Sequence, residues 1–272
     1  MPTQREKAER FRELHEAPGA FIIPNPWDGA SARILEAMGF PALATSSGAC
    51  AATLGRRDGA VSRGEALSHA SLIVESSSLP VSADLEKCFA DDPAEPAETI
   101  RLAAGVGLVG GSIEDSTGDS ANPLFDFDLA VERVAAAAAV ARTLPFPFTL
   151  AARAQNFVGG NPDLNETIKR LQAFEKAGAD VLFAPGLPDI EAVRTVCRSV
   201  SKPVNFMVGI PGRSFTVAEL SAAGVKRISL ATSLYKAAIT GFLSAINEVR
   251  DHGTFAYVES SISTRDLAGY LT

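Results

Sequence analysis

Phe148-Thr-Leu-Ala151, Arg153-Ala-Gln155-Asn156, the run Leu164 to Ala177 and Gly178-Ala-Asp180-Val-Leu-Phe183 follow one another in the chain. A short β-rich run is followed by a longer helical pattern and then by a second β-rich run, which is one strand–helix–strand unit. Gly178 marks the junction, because a glycine after the last helical turn takes the left-handed cap conformation at little cost. The same junction recurs as Glu-Ala-Met-Gly39-Phe-Pro before the second strand and Ser-Ala-Ala-Gly224-Val-Lys before the eighth.

Outward from this unit, strands are predicted at Phe21–Pro24, Ala42–Thr45, Pro80–Ala83, Val109–Ile113, Phe148–Ala151, Asp180–Phe183, Pro203–Phe206 and Arg227–Leu230. Helices are predicted between them at Ala30–Met38, Glu65–Ser76, Pro96–Ala104, Leu129–Arg142, Leu164–Ala177, Ile190–Val200 and Val217–Ala222, and Leu234–Arg250 follows the eighth strand. Pro96 suits a first helical position. Eight βα units with short connections predict an α/β fold, a closed parallel (β/α)8 TIM barrel, as a single domain over residues 1–272. The alternative is an open doubly wound sheet. That sheet would usually carry a Gly-rich phosphate loop after its first strand, and Asn25-Pro-Trp-Asp-Gly-Ala is not one. Residues 261–272 form an extra C-terminal helical tail. Ser263-Thr-Arg-Asp266 reads as a helix start, and Leu267, Tyr270 and Leu271 give it an apolar edge for its own barrel or for a partner.

Composition bounds the function. Of 272 residues, 46% are hydrophobic and 21% charged, so a large core is expected and global disorder is not. The net charge of −7 and the lack of a dense Lys/Arg cluster argue against a nucleic-acid partner. Met1 to Ala17 is charged and helical in pattern, without the apolar region of a secretory signal. No apolar run is long enough to cross a membrane. The three cysteines, Cys50, Cys88 and Cys197, are far apart and odd in number, which suits a reducing cytoplasm rather than a disulfide framework.

In such a barrel, chemistry sits at the C-terminal ends of the strands. Strand one ends near Asn25, Trp27 and Asp28, strand two in Thr45-Ser46-Ser47-Gly48, and strand three in Asp84-Leu-Glu86. Strand four ends in Glu114-Asp115 and strand five in Arg153-Ala-Gln155-Asn156. Asp84, Glu86, Glu114 and Asp115 converge near one rim. Carboxylates without histidine or cysteine partners make a hard oxygen site, suited to Mg2+ or Mn2+ rather than zinc. So many acids need a cation or an arginine nearby; the competing reading is that they are ordinary helix N-caps. Arg153 is placed to bind a carboxylate or phosphoryl group, or else to form a structural ion pair with Glu114 or Asp84. Ser46, Ser47 and Gly48 offer hydroxyls and a flexible backbone, or a plain polar turn. His15, His69 and His252 read as surface or structural, and Cys88 as inert. No lysine stands at a strand end for Schiff-base chemistry. Gly209-Ile-Pro-Gly212-Arg213 is a weak match to a phosphate turn.

Taken in order, these motifs resemble the isocitrate lyase/phosphoenolpyruvate mutase superfamily, a phosphonomutase-like member in particular. The resemblance runs from about residue 10 to 250. It is carried by Asn25 to Phe40, Thr45-Ser46-Ser47-Gly48 with Leu54-Gly-Arg-Arg-Asp58, Val81-Ser-Ala-Asp84-Leu-Glu86, Ile113-Glu114-Asp115 and Ala152-Arg153. It implies an enzyme that uses Mg2+, or Mn2+, to make or break a C–C or C–P bond beside a pyruvate enolate in a small 2-oxo acid. Ser46, Ser47 and Gly48 would hold the pyruvyl carboxylate. Asp58, Asp84 and Glu114 would hold the metal directly or through water, and Arg153 would bind the substrate's acidic groups. Asn122 falls on the loop where mutase-like members use an asparagine. Members are usually tetramers that exchange a C-terminal helix, so a homo-oligomer, dimer or tetramer, is expected.

Three departures stand beside the resemblance. Ser82 occupies the first position of the family's Asp-x-Asp motif, and Leu85-Glu86-Lys-Cys-Phe89 replaces the glycines that follow it. Glu86, with its longer reach, is the candidate replacement ligand. The loop Ser116-Thr-Gly-Asp-Ser-Ala-Asn122-Pro-Leu carries neither the lyase branch's catalytic cysteine nor the mutase branch's lysine. Isocitrate or methylisocitrate cleavage by the usual acid is therefore not expected. A non-catalytic 2-oxo-acid binder with a degraded metal site and an unrelated phosphate-binding barrel are the competing readings.

Overall fold

In the computed structural model, which describes residues 1–271, eight parallel strands form one nearly closed barrel. They are β1 (Phe21–Ile23), β2 (Leu43–Ala44), β3 (Val81–Asp84), β4 (Gly110–Glu114), β5 (Thr149–Arg153), β6 (Val181–Phe183), β7 (Val204–Met207) and β8 (Arg227–Ser229). Each lies where the alternation of the sequence places it. β1 pairs with β8 in parallel, Phe21 opposite Arg227, and the ladder then runs β8-β7-β6-β5-β4-β3-β2. That pairing of first and last strands rules out the open doubly wound sheet.

The seam between β1 and β2 is closed by single bonds rather than a ladder. The Ala44 N–H donates to the Pro24 carbonyl at 3.0 Å. The Asn25 side chain does the rest: its Nδ2 donates to the Thr45 carbonyl, and its Oδ1 accepts from the Leu230 N–H, each at 2.9 Å. Asn25 is 4% exposed, so an apolar residue here would leave both backbone groups unsatisfied.

The barrel-covering helices are α2 (Gly29–Ala37), α4 (Arg63–Ser76), α5 (Glu95–Gly105), α6 (Phe127–Thr143), α7 (Leu164–Lys176), α8 (Ile190–Ser199) and α9 (Val217–Ala223). Asp28, Ser62, Asp163, Asp189 and Thr216 cap five of them by accepting first-turn N–H groups. The core lies between these helices and the barrel wall, around Ile73, Ile100, Leu108, Leu150, Leu171 and Phe174. Ala138 of α6 packs closely on the junction before β6: a Cβ on Gly178 would lie 3.0 Å from Ala138 Cβ. Gly178 and Gly224 have φ of 106° and 100°, the left-handed junction anticipated from sequence.

One short helix lies outside the predicted set, and one predicted helix is not packed on the barrel. The short helix α3 (Ser47–Thr53) begins inside the stretch read as a polar turn, with the Ser46 side chain as its cap. The helix after the eighth strand, α10 (Ser233–His252), buries none of its residues. Only its first turn is anchored, where Tyr235 meets Trp27 edge-on at 5.7 Å. Phe242 is 58% exposed, and Leu243 and Ile246 are also exposed. A 3-10 turn (Ala256–Ser260) and α11 (Thr264–Tyr270) follow, and α11 lies beside α2. The unpacked arm therefore starts well before residue 261, at α10; Thr272, the last residue of the expected tail, lies outside the described residues. Among the described residues, no helix is long and apolar enough to cross a membrane.

The N-terminal end of the barrel is plugged by α1 (Gln4–Glu16), whose Ala8 and Phe11 pack on Ile23, Ala42 and Val109. His15 is buried edge-on between Phe11 and Phe21, with ring centroids 4.7 and 5.0 Å away. It is structural, as its helical position suggested. Burial first, and Arg227 second, hold its pKa down to about 3. The unfolded chain takes up a proton near pH 6.5 that the native chain refuses. Stability is therefore complete above pH 6.5 and falls as pH drops from there towards 3. Urea unfolding should show about 2 kcal/mol lost to this group between pH 7 and 5. His15→Leu should remove that component; an unchanged pH dependence in the variant would contradict it.

Candidate active site

The strand ends open on a cavity of about 710 Å3. Ser46, Ser47, Asp58, Asp84, Glu86, Glu114 and Arg153 all line it. Seven of the residues singled out from sequence thus share one space. Gly48 lies just behind, where a Cβ would approach Thr232 Cγ2 to 2.9 Å and Asp58 Oδ2 to 3.1 Å. A glycine is favoured there by close approach rather than by backbone freedom, because any side chain would displace Thr232 and Asp58. Asn122 is exposed on the loop after β4 and is not part of the lining.

Arg153 is the hub. Its Nη1 lies 2.9 Å from Asp84 Oδ1 and 3.1 Å from Glu114 Oε2. Both alternatives weighed for this arginine therefore hold at once in part: it is ion-paired to both acids, yet its Nη2 makes no protein hydrogen bond and remains on the cavity side. Its guanidinium also stacks 4.9 Å from the Phe183 ring centre. Asp84 further accepts the N–H of Glu86 at 3.3 Å and that of Ser47 at 3.4 Å. Burial would raise Asp84, but Arg153 and these N–H groups outweigh it and hold it below the usual carboxylate range. Glu114 goes the other way: burial, and then the charge of Asp84, raise it despite Arg153. Burial, then Asp84, Asp58 and Glu114, push Glu86 up to about 7.

Two arginines on outer helices hold the acidic loops in place. Glu86, Cys88 and Phe89 all have positive φ, at 50°, 61° and 62°, in the segment that lacks the family's glycines. Such conformations are strained for residues with side chains and persist only where the surroundings impose them. Here Arg133 of α6, 1% exposed, imposes them. Its guanidinium donates to the carbonyls of Lys87, Ala90, Asp91 and Asp92. Cys88 is enclosed beneath, and burial pushes its thiol up to about 12, consistent with an inert residue. Arg170 of α7 plays the same part for the β4 loop, donating to Asp115 Oδ2 and the Phe125 carbonyl at 3.0 Å each. Asp115 in turn accepts the Gln155 N–H at 2.8 Å, and the Gln155 side chain donates to Glu114. Asp115 is thus a structural strut rather than a cavity group. Gln155 and Lys236 line the cavity and were not singled out from sequence; Gln155 stands at a strand end, which was the available signal. Arg213 donates to the Gly186 carbonyl at 2.6 Å, which commits it to the protein and weakens the phosphate-turn reading.

The donor set suits a hard divalent cation in chemistry. Four carboxylates line one cavity against Arg153, Lys236 and Lys87, the last of which is already paired with Asp91, and two of the acids are pushed upward by burial and mutual repulsion. Among the described residues no three of them converge as a ready-made metal cluster. A magnesium ion would complete its shell with water and substrate oxygens, as it commonly does.

An α/β barrel with an arginine-bridged acidic mouth defines a class of site for small acids. The family model described as phosphoenolpyruvate phosphomutase matches residues 11–250. The chain belongs to the phosphoenolpyruvate mutase/isocitrate lyase superfamily. A structure from Burkholderia cenocepacia J2315, provisionally described as a lyase/mutase, superposes with a TM-score of 0.96 at 49% identity, covering 98% of this chain and 96% of that one. The structure of a 2,3-dimethylmalate lyase superposes with a TM-score of 0.88 at 25% identity, covering 100% and 96%. A 2-methylisocitrate lyase of Halalkalibacterium halodurans is 28% identical over 263 residues, covering 93% of this chain and 85% of that one. Members of the superfamily are lyases and mutases of small 2-oxo and other carboxylic acids.

Removing the hub should be costly. Arg153→Met leaves two partly buried acids uncompensated and should lower stability at pH 7 by about 2–4 kcal/mol in urea unfolding, with the loss shrinking as acid protonates them. A loss below about 1 kcal/mol would contradict the hub role.

Proposed function

We propose that this protein is a Mg2+-dependent lyase that breaks the C–C bond beside a 2-oxo-acid enolate in a small diacid. The single observation that carries this reading is the Arg153 bridge between Asp84 and Glu114 in a cavity shared with Ser46 and Ser47. Ser46 and Ser47 bind the carboxylate of the fragment that becomes the 2-oxo acid. The free Nη2 edge of Arg153 binds an acidic group on the substrate. Asp84, Glu86 and Glu114 hold the metal, and Asp58 holds it directly or through water. Bound there, Mg2+ (or Mn2+) supplies Lewis-acid stabilisation of the developing enolate oxygen, a large term in such reactions. With oxaloacetate, the electron pair of the broken C3–C4 bond passes into the pyruvate enolate as carbon dioxide leaves, and C3 then takes a proton from water. With a 2-hydroxy diacid, the hydroxyl gives up its proton and becomes the keto group of the released 2-oxo acid, while the electron pair leaves on the other carboxylate fragment, which takes a proton in turn.

C–C cleavage is favoured over phosphonyl transfer by the placement of Asn122. The residue that the mutase reading needs is exposed and away from the cavity lining. The non-catalytic reading rests on Ser82, which lies behind the active-site cavity, but Glu86 lines that cavity and offers a carboxylate there. The enzyme is proposed to act in the cytoplasm.

The arm supports a homo-oligomer. Phe242, Leu243 and Ile246 on α10 are exposed, and Leu54 and Leu72 line an open lateral groove on the barrel of the same chain. We assign the cover of this apolar arm to a second copy of the chain. Light scattering should give a dimer or tetramer, and Phe242→Asp with Ile246→Asp should shift it to monomer; a wild-type monomer would overturn this assignment.

The activity test is direct. With Mg2+, the protein should release a 2-oxo acid from oxaloacetate or from a C4-branched 2-hydroxy diacid. Chelation should abolish turnover, and Asp84→Asn should lower kcat about 100-fold or more. Turnover of phosphonopyruvate alone, or of none of these by the folded protein, would sink the reading.

A further inference from the structure

Beneath the floor of the active site, the barrel interior is polar. Such interiors are usually filled by layers of branched apolar side chains. Here Ser82, Ser112, Asn205, Arg227 and Ser229 are all buried, and all five face a second cavity of about 60 Å3. None of these five lines the larger active-site cavity, but the two cavities adjoin, sharing Ser46, Asp84 and Arg153 in their walls.

Arg227 is the unusual member. It stands at the start of β8, and only 6% of its surface is exposed. Its Nε donates to Asn205 Oδ1 at 2.8 Å, and Asn205 Nδ2 donates to Ser229 Oγ at 3.1 Å. This chain fixes the guanidinium plane. Its two terminal nitrogens have no protein hydrogen bond, and Arg227 forms no ion pair among the described residues. The one acid on this cavity among the described residues, Asp84, is ion-paired with Arg153. Burial, and then the like charge of Arg153, hold Arg227 down to about 10, so it still carries its proton at neutral pH. A buried cation without a counter-charge costs several kcal/mol. Ser82 Oγ, on the same cavity, likewise makes no protein hydrogen bond, which adds a neutral donor.

We propose that the barrel interior holds a monatomic anion of chloride size on the terminal nitrogens of Arg227 and the hydroxyl of Ser82. The cavity sets the size. At roughly 10–15 Å3 of such volume per water molecule, it takes a halide with a few waters but not a branched diacid. The anion neutralises Arg227 and leaves Asp84 and Glu114 to Arg153 and the chemistry above. This site adjoins the proposed active site but does not rest on the lyase reading, and its test needs no turnover.

Crystals of the full chain grown in sodium bromide should show an anomalous peak within hydrogen-bonding distance of the Arg227 guanidinium. In solution at constant ionic strength, exchanging gluconate for chloride should raise the melting temperature by about 2–4 °C once chloride exceeds its dissociation constant several-fold. Arg227→Met should lose both effects; if that variant does not fold, the wild-type measurements decide alone. Water alone at Arg227 in the bromide crystals, bromide confined to Ser46 and Ser47, or equal wild-type melting in the two salts would each overturn the assignment.

Discussion

The site depends on a partly buried arginine that bridges two acids on neighbouring strands. Arg153 is set opposite Glu114 in the β4–β5 ladder, and Asp84 lies one strand further along. Three neighbouring strands thus bring their ends together at Arg153, which reaches both acids. Two acids held by one guanidinium remain an attractive place for a further cation, because Glu86 and Asp58 add negative charge that Arg153 cannot balance. The opposite shifts of Asp84 and Glu114 follow from the same bridge. Asp84 gains Arg153 and two N–H donors, whereas Glu114 feels burial and the charge of its neighbour more strongly.

Holding that arrangement requires restraint from outside the barrel. The β3 loop adopts three left-handed residues without glycine, and the buried guanidinium of Arg133 secures it through four carbonyls. The β4 loop is held by Arg170 through Asp115 and Phe125. At the seam, Asn25 completes the barrel with two side-chain hydrogen bonds. In each case a polar side chain satisfies backbone groups that regular secondary structure leaves open, as buried polar groups require.

The strands and junction glycines were legible because their signals are local: short β-rich runs, helical periodicity and a left-handed cap such as Gly178. The carboxylates and Arg153 were legible because strand ends are where a barrel exposes chemistry. α3 was hidden because Ser46-Ser47-Gly48 has the composition of a turn, and only tertiary contact with Asp58 and Thr232 gives Gly48 its place. Arg133 and Arg170 look like ordinary helical surface residues in sequence. Their roles arise from loops far along the chain, which no local pattern encodes. The same holds for α10, whose apolar residues fit a barrel-covering helix in sequence but stand exposed in this chain.

The central claim is that the Arg153-bridged carboxylates hold a divalent metal and a 2-oxo-acid enolate together. A crystal structure of the full chain with Mg2+ and oxalate, a stand-in for the pyruvate enolate, tests it most directly. The expected result is one metal ion bound by oxalate and by carboxylates from the set Asp58, Asp84, Glu86 and Glu114, with the far oxalate carboxylate on Ser46 and Ser47. Oxalate bound without metal, or a metal away from these carboxylates, would contradict the account.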